Sequence, residues 1–283
     1  MNPITNAVRA GLARGVIELR QTVTNGQDLF GLLFWPVIMV VVLIFMRDAT
    51  FGSSGFMLGT LALPSILGML ISFNGIFGIA QLLSMEREDG TLLRAKATPN
   101  GMVGYLVGKV VTVSGWVLVP FVIVLVPGLF VVGDVALNTA GAWLSLIGIV
   151  LLGMLATLPI GASIGSLFAN PRGVGFASMP IMGLVAVSGI FYPITSMPGW
   201  VQGIAQCFPI YWLGLGMRAA MLPDEAAAVE LGGSWRHMET IAVLGIWAAA
   251  GFVLAPILLR RMARRESGSS VAARREKAMQ RAY

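Results

Sequence analysis

Charge is scarce in this sequence. Only 11% of its 283 residues are Asp, Glu, Lys or Arg, against roughly 25% in an average soluble domain, while 57% are hydrophobic and the mean hydropathy is +0.83. An ordinary water-soluble fold is excluded for most of the length. Cys207 is the single cysteine, so no intramolecular disulfide can form, and His237 is the single histidine, so no Cys/His metal cluster can be assembled. The apolar runs also hold no Asp, Glu or His at their centres, which weighs against the proton-relay chemistry of ion-coupled transporters.

Long uncharged runs are what remain. About 20 apolar residues cross a hydrocarbon core of ~30 Å as a helix, and six stretches meet that need: 29–46, 56–83, 103–132, 141–168, 174–192 and 240–259. The expected fold class is all-α integral membrane with six transmembrane helices. Lys109 is the one basic residue inside a run, placed near an end where its stem can snorkel. Pro36, Pro64, Pro120, Pro127, Pro159, Pro180 and Pro256 predict kinks. Residues 1–28 are polar and basic with no signal-peptide plan, so the run from Leu29 is expected to be retained as a helix.

Basic residues decide orientation, because Lys and Arg collect on the cytoplasmic side. With the N-terminus inside and alternation thereafter, sixteen of the nineteen lie inside and only Arg47, Arg218 and Arg236 lie outside. The expected topology is therefore N-in, C-in. Before the first span, Ile4, Val8, Leu12, Val16, Leu19 and Val23 recur at steps of three or four, which predicts an amphipathic interfacial helix within 1–28 that contacts lipid or a partner. Residues 260–283 form a basic cytoplasmic tail. The formal charge of +6 follows from this topology, and nucleic acid is not an expected partner.

The stretch 193–239 is apolar at first but broken by Pro193, Pro198 and Pro209, with Tyr192, Trp200, Tyr211 and Trp212 interleaved. Such density of aromatics suits a membrane–water interface. Short re-entrant external helices are expected there before the last span, followed by an acidic external loop from Asp224 to Glu239.

The richest polar segment lies between the second and third spans, Ser84-Met85-Glu86-Arg87-Glu88-Asp89-Gly90-Thr91-Leu92-Leu93-Arg94-Ala95-Lys96-Ala97-Thr98-Pro99. A short helix is expected after Gly90, resting Leu92 and Leu93 on the membrane end, exposing Arg94 and Lys96, and stopping at Pro99. The bland alternative is a hydrophilic connector obeying the positive-inside rule. The run Glu86-Arg87-Glu88-x-Gly90-Thr91-Leu92, then Arg94, then Ala97-Thr98-Pro99, then Gly108-Lys109, resembles the first cytoplasmic loop of ABC-2 type transporter permeases, the group that contains daunorubicin-resistance-type exporters. The six-span layout, the amphipathic N-terminal helix and the late Pro193, Pro198, Trp200, Pro209, Arg218 series extend the resemblance over roughly residues 4–262 and make 29–259 the transmembrane domain. The sequence departs from the family at Ala95, where a larger apolar residue is more common.

The resemblance implies two copies of an ATP-binding subunit docking on the loop and the N-terminal helix, with a second permease chain completing a homo- or heterodimer. Glu86, Arg87, Glu88, Gly90, Thr91, Leu92, Arg94, Thr98 and Pro99 would then be the coupling residues. ATP and Mg would sit on the partner, with no cofactor, metal or catalytic residue on this chain. In keeping with that, Gly104 to Lys109 lacks the spacing of a phosphate loop and is followed by Val110 instead of Ser or Thr. Phe73, Asn74, Phe77, Met179 and Met182 are the substrate-path candidates, Asn74 because a lone amide in hydrocarbon needs a partner and the methionines because they adapt to varied apolar shapes. Gly161-x-x-x-Gly165 suits helix packing. The expected cargo is a hydrophobic or amphipathic drug, antibiotic or lipid. A lipid-linked saccharide is the rival cargo, and a channel or scaffold without ATPase coupling the rival class.

Overall fold

The computed structural model describes residues 2–49, 57–133, 135–168, 170–265, 267 and 269. Asp134 and nearly all of the basic tail beyond Arg265 lie outside the described residues, as do residues 50–56 with the expected start of the second span. The architecture is all-α: α1 (Pro3–Thr24), α2 (Gly26–Met46), α3 (Leu58–Phe73), a π-helical turn (Asn74–Gly78), α4 (Ile79–Glu88), α5 (Thr91–Lys96), α6 (Gly101–Val131), α7 (Ala140–Leu167), α8 (Pro171–Val187), α9 (Gly199–Cys207), α10 (Pro209–Met221) and α11 (His237–Arg265).

Five helices among the described residues are long and apolar enough to cross a membrane: α2, the 31-residue rod from α3 through α4, α6, α7 and α11. The fifth expected span, 174–192, ends sooner than hydropathy suggested. α8 has 17 residues, about 26 Å at the standard rise, because Ser188 caps it and Gly189 takes a left-handed φ of 67° that turns the chain away. Each proline predicted to kink lies inside a helix that continues on both sides of it. Large apolar side chains stay exposed along α2 and α11, including Phe30, Trp35, Phe45, Ile246 and Phe252. A surface this apolar is built for lipid or for a second membrane chain.

The core is centred on α10, which packs against α3, α7 and α11. Two short helices do precede the last span, but the aromatics of the second are packed inside the protein: Tyr211 is fully buried and Trp212 is 3% exposed. The Trp212 indole N–H donates to the Gln206 carbonyl at 2.7 Å and its ring carries Arg236 at 4.7 Å, so its polar edge is satisfied inside the protein. Trp200 on α9 does remain exposed. Small residues permit the closest approaches. Gly165 backs onto Ala80, and Gly161 faces the π turn, so the Gly161-x-x-x-Gly165 pair serves helix packing.

Candidate functional site

The polar segment folds as a tight helical bracket. Asp89 accepts from the Thr91 N–H at 2.7 Å, and Gly90 adopts φ 79°, a left-handed geometry that any side chain would strain. α5 follows for six residues. Leu92 is buried and Leu93 half-buried against the bundle, while Arg94, Lys96, Thr98 and Pro99 are exposed. Arg94 donates to the Thr91 hydroxyl at 2.9 Å, and the Thr98 hydroxyl donates to the Ala95 carbonyl at 3.0 Å. Ala95 itself sits buried in the cluster that holds Leu92 and Tyr105, so the small residue is seated.

Glu86 and Arg87, expected to face a soluble partner, are turned inward and are each 8% exposed. Arg87 donates to the carbonyls of Ser166 and Phe168 at 3.1 and 2.8 Å, where the last turn of α7 leaves carbonyls without intrahelical partners. Its charge also opposes the negative end of that helix dipole. Glu88 is half-buried.

Glu86 enters an ion cluster that joins three helices, buried at Lys109 and Glu86 and partly exposed at Arg14 and Glu18. The Lys109 ammonium stands 2.6 Å from Glu86 Oε1 and 2.6 Å from Glu18 Oε2. Tyr105 donates its hydroxyl to Glu86 Oε2 at 2.6 Å, and Thr112 donates to Glu18 at 2.9 Å. Arg14 bonds Glu18 Oε1 at 2.8 Å and approaches Glu86 at 3.9 Å. Two cations thus balance two carboxylates. Lys109, expected to snorkel towards water, is 2% exposed instead, because the carboxylates meet its ammonium inside the protein.

The cluster exists because α1 runs parallel to α6 at very short range. A Cβ on Gly15 would stand 2.7 Å from the Gly108 carbonyl oxygen, one on Gly104 2.8 Å from the Ala7 carbonyl oxygen, and one on Gly11 would collide with the Gly104 backbone. Gly11-x-x-x-Gly15 therefore faces Gly104-x-x-x-Gly108, the small-residue arrangement that lets two helix backbones meet. Of the predicted stripe, Ile4, Leu12, Val16 and Val23 remain exposed, whereas Val8 and Leu19 are half-buried and Leu19 packs against α6 at Gly115. Sequence reasoning missed Glu18, Tyr105, Thr112 and this glycine seam. The signals were present, since Glu18 is the only acid in α1 and both glycine pairs have the same spacing.

Burial pushes the Glu18 carboxyl up, but hydrogen bonds from Lys109, Arg14 and Thr112 and the Lys109 charge outweigh it and leave its pKa below the ordinary value. A depressed carboxylate stabilises the fold above its unfolded pKa, and that contribution fades as pH falls through the folded value. Thermal melting in detergent is expected to lose stability as pH drops below about 4, with the Glu18→Gln protein showing a flatter profile over the same window. Identical profiles would remove Glu18 from the account.

Among the substrate-path candidates, Phe73 and Phe77 are brought together, with ring centroids 4.8 Å apart. Asn74 begins the π turn, and its amide donates to the Leu70 carbonyl one turn back at 3.0 Å, so its partner lies within its own helix. Met179 and Met182 are exposed on α8, which packs against α4 and α9.

The family model for the ABC-2 family transporter protein matches residues 47–257, about three-quarters of the chain. The chain belongs to the ABC-2 transporter family. No curated protein matches it. As an ABC-2 family member with several apolar helices it is a multi-pass membrane protein and a membrane component of transport. In this ABC-2 chain the bracket and its ion cluster lie at one end of the α3–α4 rod. At the other end a second buried pair, Arg218 and Glu230, meets at 2.7 Å. Glu230 is therefore not part of an exposed acidic loop, since it is 2% exposed and committed to α10.

Proposed function

We propose that this chain is the permease subunit of an ATP-binding cassette exporter in the cytoplasmic membrane, with α2, α3–α4, α6, α7, α8 and α11 as its six spans and both ends inside. It moves a hydrophobic or amphipathic drug, antibiotic or lipid outward, driven by ATP hydrolysis on two copies of a separate subunit, and pairs with a second permease chain. One observation carries the coupling part of this reading. α5 exposes Arg94, Lys96, Thr98 and Pro99 on a support that cannot yield locally, because Leu92 and Ala95 are packed beneath it and Glu86 and Arg87 are tied to α1, α6 and α7. A push on α5 is thereby delivered to three helices at once, which a loose connector could not do. Of the sequence-expected coupling residues, this reading assigns Arg94, Thr98 and Pro99 to the docking face. Glu86, Arg87 and Leu92 act beneath it, holding the bracket rigid, and Gly90 shapes its turn.

The test is charge reversal on the exposed face alone. Arg94→Glu with Lys96→Glu is expected to lower the yield of an ATP-binding subunit co-purified from native membranes by about tenfold or more, the scale of like-charge contact across an interface. Insertion and melting should stay at wild-type values. Undiminished co-purification together with full ATP-dependent transport in vesicles would refute docking through α5.

A further inference from the structure

The Arg218–Glu230 pair is incompletely satisfied among the described residues, and both residues line one cavity. Arg218 donates through Nε to Glu230 Oε1 at 2.7 Å and through one terminal nitrogen to the Gly189 and Ile190 carbonyls at 3.3 and 3.0 Å. Among the described residues its other terminal nitrogen has no partner, nor has Glu230 Oε2, nor the Trp235 indole N–H, although all three atoms are buried. Arg218, Glu230 and Trp235 are respectively 3%, 2% and 5% exposed. They line the same cavity of about 120 Å³, whose other walls are mainly apolar, among them Leu58, Leu61, Phe191 and Leu222. An unpaired buried donor or acceptor costs free energy, more so when charged, and native proteins rarely leave three of them around one space.

We propose that this cavity binds the head of a zwitterionic ammonium–phosphate lipid, phosphatidylethanolamine being the simplest example. The free atoms are two donors, Arg218 and Trp235, and one acceptor, Glu230. A phosphate would take hydrogen bonds from the first two and a primary ammonium would give one to the third. Because the ion pair is neutral overall, the site rewards a neutral zwitterion over a net anion, and the Glu230 acceptor discriminates against a quaternary ammonium, which has no N–H. The apolar walls receive the start of the acyl chains. The volume approaches that of engineered cavities that hold a benzene-sized guest, and far exceeds one water. Leu58 and Leu61 begin the rod whose other end carries Glu86, so this site lies away from α5. It goes beyond the exporter reading and does not depend on ATPase coupling.

Native mass spectrometry of the full chain in detergent, with phosphatidylethanolamine, phosphatidylcholine or phosphatidylglycerol added, tests this. Phosphatidylethanolamine is expected to be retained about tenfold better than the other two, the worth of one charge-assisted hydrogen bond. Trp235→Phe, which removes one N–H but keeps a ring, should reduce that preference several-fold. Ala62→Leu, which fills the cavity without touching the ion pair, should abolish it; a melting curve for each variant confirms that it folds. Equal retention of the three lipids, or an Ala62→Leu protein that keeps the wild-type preference, would mean that water alone fills the space and would overturn the proposal. Loss of ATPase coupling with lipid preference intact would count against the exporter reading and leave this one standing.

Discussion

Replacing Lys109 by Met is expected to destabilise the chain by about 3–5 kcal/mol, the range found when one partner of a buried ion pair is removed. Lys109 stands 2.6 Å from both Glu18 and Glu86, whereas Arg14, 2.8 Å from Glu18, comes no nearer to Glu86 than 3.9 Å. Without it, Glu86 keeps, among the described residues, the Tyr105 hydroxyl and a distant Arg14. The methionine fills most of the vacated volume, so cavity formation contributes little and the cost is electrostatic. A compensating change separates these causes: Lys109→Met combined with Glu86→Gln should recover part of the loss, since one stranded carboxylate has gone. Melting of the purified single and double variants measures it. Additive losses in the double variant would show that Lys109 contributes by packing alone, and a single-variant loss under about 1 kcal/mol would show that water reaches the cluster.

The function-bearing part of this site was only half legible in the sequence. Hydropathy located the apolar spans because it reads single segments, and Gly90 marked the turn into α5 because a left-handed residue favours glycine whatever surrounds it. The inward roles of Glu86, Arg87 and Lys109 could not be read this way. Glu18 and Lys109 are 91 residues apart, and Arg87 reaches carbonyls about 80 residues away. A charge near a membrane end looks alike in sequence whether it meets water or a partner helix. The same limit made α10 look interfacial: its aromatics match an interface by composition, and only the packing of α3, α7 and α11 around them assigns them to the core. For α8 the apolar run continued beyond the helix, and the Ser188–Gly189 stop carries no polarity that hydropathy would register.

The glycine seam supplies the second large effect. Gly11→Leu is expected to release α1 from α6 altogether, because even the first carbon of the new side chain would overlap the Gly104 backbone, which has no rotamer to adopt. Overpacking alone costs about 1–3 kcal/mol. Here the displacement also withdraws Glu18 and Arg14 from the ion cluster, so the total should reach or exceed the Lys109→Met loss. Gly11→Ala should give a smaller loss in the same direction. Gly31→Leu provides the control, since a side chain at Gly31 on α2 meets nothing within 4 Å and should leave melting within about 0.5 kcal/mol of wild type. A bis-maleimide cross-link between cysteines placed at Thr22 and Trp116 in a Cys207→Ser background, its spacer covering the length of the indole through which Trp116 meets Thr22, reports α1 docking directly. Cross-linking should fall sharply with Gly11→Leu and persist with Gly31→Leu. If α1 stays cross-linked and the coupling to an ATP-binding subunit is unchanged, the seam is a packing detail. If both fall together, α1 is part of the lever that α5 moves.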